Sequence, residues 1–153
     1  MPIDRPEVRS AAARRAQLAP GTPVGVTEPM IQHLVHAFYG KIRKDPALGP
    51  IFNRVIGDGW DPHLAKMCDF WSSVTLMTGR FHGSPMVAHT RIGGVRPTHF
   101  ARWLHLWCET AAEVCPPEAA ALFVAKAEMI AQSLQLGIAA SRGELPPLSP
   151  AAR

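Results

Sequence analysis

The chain has 153 residues, 47% of them hydrophobic and 18% charged, which suits a single domain with one apolar core. Sixteen Lys and Arg against twelve Asp and Glu leave a formal charge of +4. No run approaches the roughly 20 uninterrupted apolar residues of a membrane span, and no segment has the apolar centre of a signal peptide.

Residues 1–26 read as a flexible extension. They hold few large apolar side chains and end in LAPGTPVGV. Arg5, Arg9, Arg14 and Arg15 concentrate positive charge there, but Asp4 and Glu7 interrupt it and no aromatic accompanies it. That pattern fits a solvated arm better than a nucleic-acid or membrane contact. Residues 27–141 read as the folded domain, all of it helical, because no run alternates apolar and polar residues as a half-buried strand would.

The first helix is expected from about Glu28 to Lys44, with Thr27 as N-cap and Pro29 in the first turn. Ile31, Leu34, Val35, Phe38 and Ile42 recur on one helical face, with Tyr39 flanking it. KDPALGPIFN then turns the chain and delivers Phe52 on a short segment. A second helix is expected from Asp61-Pro62 to about Thr78, ahead of Gly79. Its stripe is Met67, Phe70, Trp71, Val74 and Met77, with His63 at the N-terminal end.

The short segment SPMVAHTRIGG, residues 84–94, has a cap in Ser84, a first-turn proline in Pro85 and a stop in Gly93. It presents His89 among small and apolar neighbours, as a packed core residue, a metal ligand or a catalytic base. A third long helix is expected from Pro97 to Pro116, burying Phe100, Trp103, Leu104, Trp107, Ala111, Val114 and Cys115. A fourth runs from Pro117 to about Ala140, with Leu122, Ala125, Met129, Ile130, Ser133 and Leu136 inward. Residues 142–153 form a proline-rich tail that cannot continue a helix.

Cys68, Cys108 and Cys115 are odd in number and form no CxxC pair. They read as small buried hydrophobes and point to reduced thiols in a cytoplasm. GxSxG, HExxH, Walker and GxGxxG patterns are absent. What stands out is a set of polar-tipped residues from separate helical segments: Tyr39, His63, His89 and Trp103. A buried Tyr hydroxyl or Trp N–H needs a partner, and a non-protein ligand would supply one. One axial histidine opposite a pocket of donors, within apolar walls, suits haem iron.

Five stretches carry a resemblance when taken in order: TEPMIQHLVHAFYGKIRKDPALGPIFNRVIG, WDPHLAKMCDFW, MVAHTRI, HFARWLHLW and AKAEMIAQSL. Over roughly residues 26–140 the chain resembles the truncated haemoglobins of the third group. The resemblance implies a globin-like fold of two helices over two enclosing a haem, haem b (iron protoporphyrin IX). It implies His89 as the iron ligand and Tyr39, His63 and Trp103 as the distal residues around a bound ligand. It also implies haem contacts from Phe52, Met67 and Trp71 and a propionate partner in Arg91; Phe38, Phe70, Met86, Phe100 and Met129 are expected around the same cofactor.

The ligands implied are dioxygen, carbon monoxide, nitric oxide or peroxide. Donors around bound dioxygen stabilise its partial negative charge and slow its release, which suits redox chemistry on oxygen, peroxide or nitrogen oxides better than bulk oxygen transport. Peroxidase-like or nitric-oxide-consuming turnover would need an unidentified reductase, since no flavin or nicotinamide motif stands in the chain. A gas-binding or sensing protein without turnover is the alternative, and a cofactor-free helical interaction module is the remote one.

Overall fold

A computed structural model of the protein describes residues 13–15, 17–85 and 94–143. Among these residues the chain forms helices and no strand: α1 (Glu28–Lys44), α2 (Gly49–Ile56), α3 (Trp60–Leu76), α4 (Pro97–Val114) and α5 (Pro117–Ser141).

α1 starts where its cap demands. The Thr27 side chain accepts from the Met30 N–H at 3.3 Å, Glu28 lies in the first turn, and Lys41, Arg43 and Lys44 occupy the last. Its five stripe residues, Ile31 through Ile42, are all completely buried. Each contributes on the order of 1.5–3 kcal/mol of hydrophobic stabilisation as an upper estimate.

The helix ends at Asp45, whose backbone is extended ahead of Pro46. The Asp45 carboxylate then accepts from the N–H groups of Ala47 at 3.1 Å and Leu48 at 3.0 Å, which bends the chain into α2. Gly49 lies so close to α1 that a Cβ there would sit 2.8 Å from the Arg43 carbonyl oxygen. The segment carrying Phe52 is thus an eight-residue helix with Ile51, Phe52, Val55 and Ile56 along one side.

α3 begins one residue before the expected Asp61 and ends at Leu76, short of Gly79. The chain leaves the helix at Met77, which takes a left-handed conformation with φ of 56° and is exposed rather than part of the stripe. Ser72 and Thr75 are buried instead, and each satisfies its hydroxyl. Thr75 donates to the Trp71 carbonyl at 2.7 Å, and Ser72 donates to Glu28 at 2.6 Å. Arg80 also reaches Glu28 at 2.9 Å, and the Phe81 N–H donates to the Ser73 hydroxyl at 2.9 Å. These bonds fasten the chain after α3 along α3 and the start of α1.

Pro97 opens α4 and Pro117 opens α5, as expected. On α5 the buried face is Ala119, Phe123, Ala127, Ala131, Leu134 and Ile138. The expected stripe is therefore rotated: Met129 and Leu136 are exposed, as are Ala125 and Ser133. Small alanines let α5 approach α4 closely, so the face that packs best is not the one with the largest side chains.

α1 packs against α3 and α4, and α4 packs against α5, giving two helix pairs laid on each other. Three indoles stack at the centre. Trp71 and Trp107 have centroids 4.5 Å apart at 18°, and Trp107 and Trp103 lie 5.9 Å apart at 3°. Residues 19–26, assigned to the extension on sequence, close onto this unit. Ala19 and Val26 are buried, and the Gly21 N–H donates to the Thr75 carbonyl at 2.8 Å. Cys115 is buried, while Cys68 and Cys108 are half-buried rather than core residues. Burial raises all three thiols above their ordinary pKa. No helix among the described residues is long and apolar enough to cross a membrane.

Candidate functional site

A cavity of about 290 Å³ opens between the helix pairs. Every helix contributes to its wall: Tyr39 from α1, Phe52 from α2, His63 from α3, Trp103 from α4 and Leu134 from α5. Its rim includes Ser84, Pro85 and Val95. These flank residues 86–93, so the expected site residues Met86, His89 and Arg91 lie outside the described residues. In the sequence His89 stands four residues after Pro85 and six before Val95.

Tyr39 is the centre of an aromatic cluster. Its ring centroid lies 5.1 Å from His63 at 87°, 5.9 Å from Trp60 and 6.0 Å from Phe52. Trp60 meets His63 edge-on at 5.8 Å and carries the Arg43 guanidinium over its outer face at 4.7 Å. Burial pushes the Tyr39 hydroxyl far above its ordinary pKa, so it remains a protonated donor. Tyr39 and Trp103 both line the cavity, each with a group that can donate a hydrogen bond. Trp107, by contrast, spends its N–H on the Phe123 carbonyl at 3.0 Å. His63 lines the cavity with its Nε2 buried.

Met67, Phe70, Trp71 and Phe100 also line the cavity, so eight of the expected residues meet there: these four with Tyr39, Phe52, His63 and Trp103. Two do not. Phe38 is fully buried behind the wall, edge-on to Tyr39 at 4.9 Å, to Trp103 at 5.6 Å and to Trp107 at 4.9 Å. Being about 100° round the helix from Tyr39, it cannot face the same space and instead backs both donors. Met129 is 61% exposed, because the inward face of α5 is rotated. Ile130, Ala131 and Leu134 line the cavity in its place.

The sequence reading missed Lys66 and His99. Lys66 sits at the cavity rim, 5.9 Å from the Phe81 ring, and can meet an acidic group on a ligand. His99 caps α4, accepting from the Arg96 N–H at 2.9 Å, and it lines the cavity as well. Lys66 was within reach of the pattern, since it stands three residues after His63 on the same helix. Among the described residues no three of His, Cys, Asp or Glu come together as a metal site. The arrangement instead suits an apolar, polar-tipped guest that accepts two hydrogen bonds.

No family model matches the chain. It is 34% identical over 113 residues to the group 3 truncated haemoglobin ctb of Campylobacter jejuni, covering 72% of this chain and 89% of that one. The crystal structure of the group III truncated haemoglobin from Campylobacter jejuni superposes with a TM-score of 0.70 at 34% identity over the same shares. Fold, site and similarity agree, and the chain belongs to the group III truncated haemoglobins.

Proposed function

We propose that the cavity holds haem b through His89 and that Tyr39, Trp103 and His63 surround the small ligand that the haem binds. One observation carries the reading: two side chains able to donate, Tyr39 and Trp103, line one apolar cavity that Ser84, Pro85 and Val95, on either side of the His89 segment in sequence, also line. The residues fit such a group. Phe52, Met67, Phe70, Trp71 and Phe100 supply apolar walls, and Lys66 supplies a cation for a haem carboxylate. The chain has no CxxCH pair, so attachment is non-covalent. Haem supplies an iron centre that binds dioxygen, carbon monoxide, nitric oxide or peroxide.

The protein's own part is polar organisation in a dry space. The Tyr39 hydroxyl and the Trp103 N–H donate to a ligand atom that carries partial negative charge. Both are fixed before the ligand arrives, by Phe38 behind them and by the Trp107 stack. Each such bond is worth roughly 1.5–3 kcal/mol when charge-assisted, so two of them retain a polar ligand too tightly for bulk oxygen carriage. Redox chemistry on dioxygen, peroxide or nitrogen oxides is the function this favours.

Stopped-flow oxygen dissociation tests the assignment. Tyr39→Phe and Trp103→Phe should each speed release by about ten- to a hundredfold. Rates within twofold of the parent in both variants would remove the assigned roles. Turnover of peroxide or nitric oxide by the loaded protein would separate catalysis from binding or sensing alone.

A further inference from the structure

One buried carboxylate joins the three helices that carry the distal side of the cavity. Asp45 ends α1, the helix of Tyr39. Its Oδ2 accepts from the N–H groups of Ala47 and Leu48, and Leu48 is the N-cap of α2, the helix of Phe52. Its Oδ1 accepts from Nε of Arg102, the residue before Trp103 on α4, at 2.9 Å and pairs with Nη2 of the same guanidinium at 2.8 Å. The side chain of Asp45 is only 2% exposed, while Arg102 reaches it from a partly exposed position.

We propose that Asp45 is a positioning residue for the ligand site, holding Tyr39, Phe52 and Trp103 in one register through Arg102 and the backbone of Leu48. This rests on the haem-binding reading above and deepens it. To act together the two donors have to be held within about 0.5 Å of the positions from which they hydrogen-bond the ligand. Tyr39 stands six residues before Asp45 on α1, and Trp103 follows Arg102 directly, so a shift of α4 on α1 separates the two donors. Among the described residues the other ion pairs between α1 and α4 are those of Lys41 with Glu109 and Glu113, which are half-exposed and weak in water. Two features make the Asp45 pair the stronger tie: the carboxylate is sheltered, and the guanidinium meets it with a charge-assisted Nε–H hydrogen bond and a close Nη2 contact.

The test uses haem-loaded protein and reads the infrared C–O stretch of its carbon-monoxide complex together with oxygen dissociation. Asp45→Asn keeps the shape and the backbone bonds but weakens the Arg102 contact. Arg102→Ala removes that contact and leaves Asp45 in place. Both should add a second C–O stretch band from molecules lacking one donor, and both should speed oxygen release by about three- to tenfold. Arg102→Lys, a point charge without the fork, should fall between parent and Arg102→Ala. Combining Arg102→Ala with Trp103→Phe should add little to Trp103→Phe alone, because the donor being positioned is already gone.

A single unshifted C–O band in Arg102→Ala and Asp45→Asn, with parental oxygen release and only a lowered melting temperature, would reduce the pair to a structural tie and overturn the proposal. A parent protein without a Soret band would instead overturn the haem reading, and the positioning role with it.

Discussion

Asp45 also sets a stability expectation at the scale of single residues. Burial alone would raise its pKa, but the Arg102 hydrogen bond and the two backbone N–H groups more than offset that. The carboxyl is held below its ordinary value. A depressed folded pKa means stability that is fully present above the unfolded carboxyl value, about 3.9. That stability is lost as pH falls through the folded one. Urea midpoints of the parent should therefore fall steeply on acidification below about pH 4. Asp45→Asn should be less stable at neutral pH by roughly 1–3 kcal/mol and show a flatter acid limb. A variant as stable as the parent at pH 7, with the same acid limb, would contradict this account of the carboxylate. Tyr39 contributes nothing to the acid limb: burial raises its pKa, so it keeps its proton throughout the acid range.

At the scale of elements, α1 was legible almost residue by residue, because cap, first-turn proline, apolar stripe and basic last turn all agree on one answer. α5 was legible in its limits but not in its facing. Alanine fills so many positions that apolar periodicity alone does not select the inward side, and close approach to α4 decides it. α3 ends early because Met77 takes a left-handed conformation two residues before Gly79, which is left-handed as well. α2 was read as a mere segment, since its two-proline approach hides an amphipathic turn pair. Its seat depends on Gly49, where a Cβ would meet backbone, not a flexible side chain. Gly49→Ala should therefore lower stability by roughly 1–3 kcal/mol and loosen the α2 wall, read as a lower melting temperature and faster haem loss. An unchanged melting temperature would mean that α2 can step away from α1 freely.

At the scale of the molecule, the cavity lies where the helix pairs meet, and its wall sets aromatic side chains of α1 to α4 against aliphatic ones of α2 and α5. Six of the residues picked from sequence as its walls come from the periodic stripes or stand beside them: Tyr39, Met67, Phe70, Trp71, Phe100 and Trp103. The ones that escaped, Lys66 and His99, are polar residues at the mouth. Their role depends on where helix ends fall and not on any repeat. Phe38 and Met129 were misplaced for a related reason: a neighbour one position along faces the cavity instead. The tie from Asp45 to Arg102 was invisible, since 57 residues separate its partners and neither lies on an apolar stripe.

The central claim is that an imidazole four residues past the cavity rim holds a haem in this space. Absorption spectra of haem-supplemented parent and His89→Ala, in ferric, ferrous and carbon-monoxide forms, test it most directly. The account predicts a Soret band in the parent. In His89→Ala it predicts either haem loss or altered ferrous and carbon-monoxide spectra that added imidazole restores. Spectra of His89→Ala identical to the parent in all three forms, with equal haem retention, would contradict it.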